Sequence, residues 1–193
     1  MLISSSRLIK TPVMSLQTGG RLATTKAPVI DPRNLFILAF ELEGPLLDET
    51  PSFLVVTDIR ELGSMGMIVD SSDEFVGVND VIKIKEVYDF SFSLDGLAVK
   101  SQKGKRIGKV VGYSVEPGKF MVKQLQVRRP LLRSLADTEL LIDRTQIIEI
   151  SNDAVVIKDE HPKVRSHVKA AAGTYANPFR QTATPQPETI DRA

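Results

Sequence analysis

The stretch RIGKVVGYSVEPGKFMVKQLQVR, residues 106–128, decides the fold because it contains two β-rich runs on either side of a tight turn. Valine and other strand-forming residues dominate Arg106–Val115 and Phe120–Arg128. Between these runs, Glu116-Pro117-Gly118 has the composition of a turn. Apolar and polar residues partly alternate in the second run, as they do in a strand with one buried face. The stretch therefore predicts two long antiparallel strands.

Short β-rich segments separated by turn residues extend from this stretch in both directions. Their regular spacing favours antiparallel sheets or small barrels. Helical periodicity is weak, and its best candidates are single turns at Asp58–Leu62 and Asp143–Ile147, where we expect the aspartate to cap the turn. The other predicted strands are Leu2–Ile3, Leu8–Ile9, Pro12–Leu16, Ala27–Ile30, Leu35–Leu42, Leu54–Thr57, Gly66–Val69, Val81–Val87, Ala98–Ser101, Glu139–Asp143, Ile147–Ser151 and Ala154–Lys158.

The chain repeats its own pattern at an offset of about 85 residues. Asp31-Pro32 aligns with Glu116-Pro117, and residues 36–42 align with residues 121–127. A sheet as small as one copy exposes its edges unless it curls closed into a barrel. The remaining matches join Val13-Met-Ser15 to Val99-Lys-Ser101 and Pro45-Leu46-Leu47 to Pro130-Leu131-Leu132.

We therefore predict an all-β protein made of two tandem, six-stranded barrels and a disordered C-terminal tail. The first barrel is expected to span residues 1–88 and the second residues 89–160. Residues 161–193 contain prolines and little apolar periodicity, so they are expected to form the tail. Within the second barrel, Gly104 suits a hairpin position with positive φ, and Gly108 suits a bulge or a sharp bend.

Three segments of the second copy carry a family resemblance. Residues 103–111, KGKRIGKVV, resemble the "dGkkiGkV" opening of the PRC-barrel family, and residues 116–119, EPGK, resemble its "dp-tGrv" turn. Residues 140–157 resemble the family's "vPlddVksigddaVvv" ending. The first copy joins the family only through the internal repeat, and Ala23 stands where the pattern has its second glycine.

The resemblance implies a fold and a type of function. The family includes the cytoplasmic domain of the photosynthetic reaction centre H subunit and the C-terminal domain of a ribosome-maturation factor. Its members are similar in fold and act mostly as docking or assembly modules, with no shared catalytic residues. We therefore expect two PRC-type barrels that bind other molecules through their surfaces.

The residue inventory offers little for catalysis. The chain has no cysteine and only two histidines, His161 and His167, so thiolate chemistry is excluded and a histidine-based metal site is disfavoured. Paired acids such as Glu41 with Glu43 lie at turns and on polar strand positions, where solvated surface is the simpler interpretation. We expect no catalytic residue, no metal and no cofactor, and an enzyme is the third hypothesis.

Charge and apolar surface suggest where a partner binds. Residues 1–93 hold 8 basic and 13 acidic side chains, whereas residues 94–160 hold 12 and 9. The apolar run Leu35–Leu42 predicts a strand that is buried on both faces or covered by another surface. The candidate docking residues are Leu35, Ile37, Ala39, Arg128, Arg129 and Arg133, and the wider basic patch adds Lys100, Lys103, Lys105, Arg106 and Lys109.

These features predict a non-enzymatic adaptor that binds a protein partner, with self-association left open. The alternative is a ribosome- or RNA-associated maturation factor that binds through the basic second barrel, although the patch lacks interleaved aromatic residues. No run approaches the roughly 20 apolar residues of a membrane-spanning helix, and the N-terminus lacks the features of a signal peptide. We therefore expect a cytoplasmic protein without a membrane span.

Overall fold

A computed structural model describes residues 1–129, residues 139–159 and the backbone of residues 163–164. The described part is mostly β-structure and contains one α-helix, α1 (Ile82–Asp89). Short 3-10 turns lie at Ser5–Arg7, Val56–Asp58, Ser72–Glu74 and Arg144–Gln146. The strands are β1 (Ile3–Ser4), β2 (Pro12–Ser15), β3 (Arg21–Ile30), β4 (Ile37–Glu43), β5 (Ser52–Val55), β6 (Glu61–Gly63), β7 (Gly66–Val69), β8 (Phe75–Gly77), β9 (Ala98–Ser101), β10 (Arg106–Glu116), β11 (Met121–Arg128), β12 (Glu139–Asp143), β13 (Ile147–Ile150), β14 (Ala154–Ile157) and β15 (Lys163–Val164).

The strands form two curled sheets that have the same strand order. The first sheet runs β6-β7-β2-β3-β4-β5-β8, and the second runs β13-β14-β9-β10-β11-β12-β15. In each sheet one pair of neighbours is parallel, β2 with β7 and β9 with β14, and the other pairs along these paths are antiparallel. The all-β prediction is thus confirmed at the level of class. Closure of each sheet into a six-stranded barrel stays a prediction.

The register of the long hairpin is identical in the two sheets, residue by residue. Thr25 pairs with Leu42 in the first sheet, and Val110 pairs with Val127 in the second. Each residue of the second pair therefore lies 85 positions after its counterpart in the first pair. Even the bulges coincide, because Lys26 and Leu38 are skipped in the first ladder and Val111 and Lys123 in the second. The repeat expected from the sequence is therefore present in the backbone.

Gly108 occupies a bulge, as its place in the strand predicted. The ladder between β9 and β10 shifts between Arg106 and Gly108, and a Cβ at Gly108 would overlap the carbonyl oxygen of Arg128. Ala23 holds the equivalent place in the first sheet, where it pairs with Val13 as Gly108 pairs with Val99. Gly104 has the predicted positive φ, at 78°.

The two sheets meet at a short contact that has approximate two-fold symmetry. The amide of Ile37 donates to the carbonyl of Phe120 (2.8 Å), and the amide of Val122 donates to the carbonyl of Leu35 (3.0 Å). Since residues 35 and 37 are the repeat equivalents of residues 120 and 122, these bonds are reciprocal. An antiparallel bridge between Phe36 and Met121 lies between them. An approximate two-fold axis therefore passes through this bridge and relates the two halves.

One apolar core continues across the contact between the halves. Leu35, Ile37 and Phe40 from the first half belong to the same buried cluster as Val122 and Leu125 from the second. The rings of Phe40 and Phe120 meet edge to face, with centroids 6.0 Å apart. Burial of apolar side chains is the main favourable term in folding, so the halves stabilise each other.

The strand predicted at Val81–Val87 is wrong, because this segment forms α1. Alternation in Ile82-Lys83-Ile84-Lys85 suggests a strand, but burial falls on Ile84 and Val87, one helical turn apart, while Ile82 is 77% exposed. The helix packs with Val29, Ala39 and Phe53 on the outer face of the first sheet, and Tyr88 contacts the ring of Phe53 edge to face.

The ends of the chain depart from the predicted division at residues 88 and 160. Strand β1 lies within the predicted first barrel, yet it pairs with β10 of the second sheet. Strand β15 lies within the predicted tail, yet its backbone pairs with β12. The remainder of the tail, with His161 and His167, lies outside the described residues. No helix among the described residues is long and apolar enough to cross a membrane.

Candidate binding surfaces

Three of the candidate docking residues lie inside the molecule. Leu35, Ile37 and Ala39 are 2%, 1% and 0% exposed. Leu35 and Ile37 form the contact between the halves, and Ala39 lies under α1. The expectation of an exposed docking face at these residues has to be corrected, since both faces of the apolar strand are covered within the chain itself. The other hypothesis for this strand, burial on both faces, is confirmed.

The turn before this strand is held by a buried carboxylate. Asp31 is 1% exposed, and its Oδ1 accepts from Nε (2.9 Å) and the backbone amide (3.0 Å) of Arg33. Its Oδ2 accepts from Arg33 (3.2 Å) and from the side-chain amide of Asn34 (3.1 Å). Burial raises the pKa of Asp31, but the hydrogen bonds from Arg33 outweigh this effect and hold the pKa below its ordinary value.

A cleft of 530 Å³ separates this turn from the second sheet. It is lined by the turn on one side and by the 3-10 turn Arg144–Gln146 and β13 on the other. Its cations already have partners: Arg33 bonds Asp31, Arg144 donates to the carbonyl of Asn34 (2.6 Å), and Lys123 Nζ lies 3.2 Å from Glu116. The polar contacts across the cleft are therefore best explained as support for the turn.

The two predicted aspartate caps have different outcomes. Asp143 caps its 3-10 turn, because its carboxylate accepts from the amide of Thr145 (3.0 Å). Asp58 does not cap, since it is the last residue of its turn and Val55 holds the cap position. The sheet registers explain this difference: Ser52 corresponds to Leu140, so the offset after the loop is 88 rather than 85, and Asp58 corresponds to Gln146.

The predicted basic patch forms a continuous surface on the second sheet. Lys100 of β9 lies directly opposite Arg106 of β10, and Lys109 of β10 lies directly opposite Arg128 of β11. All four side chains are exposed. We call this set of four residues the basic face. Like charges directly opposite each other destabilise a sheet, so this arrangement costs stability rather than adding to it.

The bulge at Ile107 is what brings the four cations to one face. Arg106 and Lys109 are three residues apart, and in a regular strand they would point to opposite faces. In the ladder, Arg106 lies opposite Lys100, and Lys109 lies opposite Ala98. Because Ala98 and Lys100 are two residues apart on β9, their side chains point to the same face, and so do those of their partners. Arg128 lies opposite Lys109 on the other side of β10 and therefore shares this face.

Few acids neutralise the basic face. Arg128 lies 3.9 Å from Glu139 on the neighbouring strand, a long and exposed ion pair. Within the described ranges, Lys100, Arg106 and Lys109 make no ion pair. Arg129 follows Arg128 and is also exposed, and Lys103 pairs with Asp159 at 3.6 Å. Arg133, the last candidate, lies outside the described residues.

The first sheet has no counterpart of this face. The positions equivalent to Lys100, Arg106, Lys109 and Arg128 are held, in that order, by Met14, Arg21, Thr24 and Glu43. The two halves thus share a backbone and differ in the charge that they present. The cations and the bulge at Gly108 are each predictable from the sequence, but their common face is not, because charge counts do not report which side chains a bulge brings together.

No other constellation of reactive groups stands out in the described residues. They contain no group of three or more histidine, cysteine, aspartate or glutamate side chains placed to hold a metal ion. The pKa of Asp70 is lowered by its hydrogen bonds with Arg60, an exposed pair across the β6–β7 hairpin. Burial raises the pKa of Tyr113, which lies in the core.

Comparison with protein-family models finds no match for this chain, and a search of curated proteins finds none either.

Proposed function

We propose that this protein is a non-enzymatic interaction module built on two PRC-type repeats, and that it binds a protein partner through the basic face. The observation that carries the proposal is the cluster of Lys100, Arg106, Lys109 and Arg128 on one face of the second sheet. Mutual repulsion of these cations lowers stability. A partner with negative charge would relieve this repulsion and so offset the loss of stability.

Two further observations support a binding role. The halves share one core and a reciprocal backbone contact, so the basic face is presented on a firm scaffold. The lowered pKa values of Asp31 and Asp70 are explained by their ion pairs with Arg33 and Arg60, so these shifts do not call for a catalytic role. A PRC-type assignment and a cytoplasmic location are part of the same proposal.

RNA binding is the second candidate, and the same four cations favour it. Nucleic-acid sites for single strands usually add aromatic platforms on which bases stack. The residues that share the face with the cations include Ala98 and Val156 and no aromatic side chain among the described positions in register with them. Carboxylates of a protein partner therefore fit this face better than bases do.

Binding of two labelled probes tests the proposal. We expect an oligoglutamate peptide to bind in fluorescence anisotropy at low salt and single-stranded oligouridylate to bind more weakly. Lys100→Glu combined with Lys109→Glu should abolish binding. The matched control is Lys83→Glu with Lys119→Glu, two exposed lysines away from the face, which should bind as the unchanged chain does.

The same double variant separates binding from folding. Each new glutamate lies opposite an arginine, so the variant gains two cross-strand pairs worth about 0.2–1 kcal/mol each. We expect a free energy of unfolding at least as high as that of the unchanged chain, together with lost binding. Tight binding of oligouridylate alone would favour the RNA candidate, and binding of neither probe would contradict both.

A further inference from the structure

We propose that the partner of the basic face is a second copy of this chain, which presents the loop between β4 and β5. This inference rests on the proposed function and names its partner. The acidic loop is defined here as the last residue of β4 and the loop that follows it, residues 43–51, and it carries Glu43, Asp48 and Glu49, all exposed. None of these three acids forms an ion pair within the described part of the chain.

The acidic loop and the basic face share one repeat-equivalent position, and its charge is opposite in the two halves. Glu43 is the counterpart of Arg128, because Thr24 pairs with Glu43 as Lys109 pairs with Arg128. Gly44 is likewise the counterpart of Arg129. The end of β4 thus carries a negative charge where the end of β11 carries a positive one. Complementary potentials across an interface favour association and fix its orientation.

The approximate two-fold axis directs this complementarity between molecules. A two-fold rotation that carries the first sheet onto the second also carries the neighbourhood of Glu43 onto that of Arg128. Glu43 of the acidic loop and Arg128 of the basic face therefore lie on either side of the axis, and among the described residues no ion pair joins the two surfaces within one chain. A contact between unlike surfaces repeats from one copy to the next and builds rings or filaments.

Exposed apolar side chains accompany the charges on both surfaces. Leu46 is 61% exposed within the acidic loop, and Val111 is 40% exposed next to Lys109 along β10. An apolar contact surrounded by complementary charges is the arrangement of a protein interface with a dry centre and a polar rim. Among the described residues, each surface thus combines a hydrophobic anchor with charges of one sign.

Light scattering coupled to size exclusion tests the inference on the full chain. We expect the mass to rise above that of the monomer with increasing protein concentration and to fall with increasing salt. Two variants should each remain monomeric. In the face variant, Lys100→Glu, Arg106→Glu, Lys109→Glu and Arg128→Glu together reverse the charge of the face. In the loop variant, Glu43→Lys, Asp48→Lys and Glu49→Lys together reverse the charge of the loop. The dissociation constant of self-association should rise by about tenfold or more in each.

Mixing the face variant with the loop variant is the decisive step. The reversed face of one is complementary to the reversed loop of the other, and their unchanged surfaces are complementary as well. An equimolar mixture should therefore recover the assembly that neither variant forms alone. The control pair Lys83→Glu with Lys119→Glu should assemble as the unchanged chain does, and circular dichroism should give the same spectrum for all variants.

Each other outcome overturns the inference and bears separately on the proposed function. A chain that binds oligoglutamate yet stays monomeric at every concentration keeps the proposed function and loses the second copy as partner. Assembly that survives both reversals uses another surface, and assembly that the mixture fails to restore does not pair the loop with the face. Binding of oligouridylate without oligoglutamate contradicts both proposals.

Discussion

Asp31 is the residue on which the turn between β3 and β4 depends. It is buried, and it accepts four hydrogen bonds from Arg33 and Asn34. Hydrogen bonds to a charged group contribute more than neutral ones, so their loss is costly. The backbone carbonyl of Asp31 accepts from the amide of Leu35 (2.8 Å), which lies at the contact between the halves.

We predict that Asp31→Asn lowers the free energy of unfolding by about 1–3 kcal/mol near neutral pH. Because the native pKa of Asp31 is lowered, its contribution is complete above the ordinary aspartate pKa and is lost as pH falls through the native pKa. Urea unfolding near pH 6 and near pH 3 should therefore give a difference between variant and unchanged chain that shrinks with acid. An equal difference at both pH values would contradict this role. The control is Asp70→Asn, which removes an exposed ion pair and should lower the free energy of unfolding by less.

Gly108 and Ala23 allow a matched test of the bulge, because they hold equivalent positions. We predict that Gly108→Ala destabilises the protein by about 1–3 kcal/mol, since the added methyl group meets the backbone of Arg128 and the side chain of Val127. Ala23→Gly removes the same methyl group from the first sheet and should cost about 1 kcal/mol or less. Thermal unfolding of both variants measures the difference, and equal losses would argue against the close approach at Gly108.

At the residue scale, the sequence predicted what depends on local geometry. The positive φ of Gly104, the bulge at Gly108 and the cap at Asp143 are confirmed. The network of Asp31 was missed because it depends on burial, which one sequence does not report for an aspartate in a turn. The cap expected at Asp58 is wrong, because the offset between the repeats is 85 up to the end of β4 and 88 from Ser52 onward. Neither copy carries a residue pattern that marks this change.

Among the elements, α1 distinguishes the outer faces of the two sheets. It covers the outer side of the first sheet through Ile84 and Val87, whereas the basic face occupies the outer side of the second. Apolar and charged residues alternate at the start of α1, and this pattern favours a strand over a helix. The apolar contacts nevertheless fall at positions 81, 84, 87 and 88, which have helical spacing. The doubly apolar strand β4 is explained by the same helix, which covers one face of the strand, and by the core, which covers the other.

We predict that Ile84→Ala lowers the free energy of unfolding by about 2–5 kcal/mol, because it leaves a cavity between α1 and the first sheet. Ile82→Ala is the matched control: the same atoms are removed from an exposed position on the same helix. Its effect should stay within about 0.5 kcal/mol. Chemical denaturation of both variants measures this, and similar losses at both positions would show that the helix is held by something other than its buried side.

In the whole molecule, the reciprocal contact joins two halves that share one core, so we expect them to unfold together. Leu35 and Phe120 both have positive φ, 61° and 47°, and hold equivalent places on either side of the approximate two-fold axis. The repeat was predictable from the sequence because turns and apolar runs recur in the same order. The contact between the copies was not, since low similarity along one chain says nothing about which surfaces of the two copies meet.

We predict that Leu35→Ala destabilises both halves together, by about 2–5 kcal/mol. Native-state hydrogen exchange should show the protection of Leu54 in the first sheet and of Ile142 in the second falling by the same factor, because both belong to the shared core. Loss of protection in the first sheet alone would show that the halves unfold independently. Leu46→Ala, at an exposed leucine, should leave protection in both sheets unchanged.

Strand β1 fixes the start of the chain to the opposite half of the molecule. Ile3 and Ser4 pair with Val115 and Ser114 of β10, and the hydroxyl of Ser5 accepts from the amide of Tyr113 (3.3 Å). A tensile force applied at Met1 is consequently carried first by β10, the strand that also bears Arg106 and Lys109. Tethering the protein by its N-terminus to a bead or a sensor chip would therefore load the strand that carries Arg106 and Lys109, whereas attachment through α1 would leave that strand free of mechanical stress.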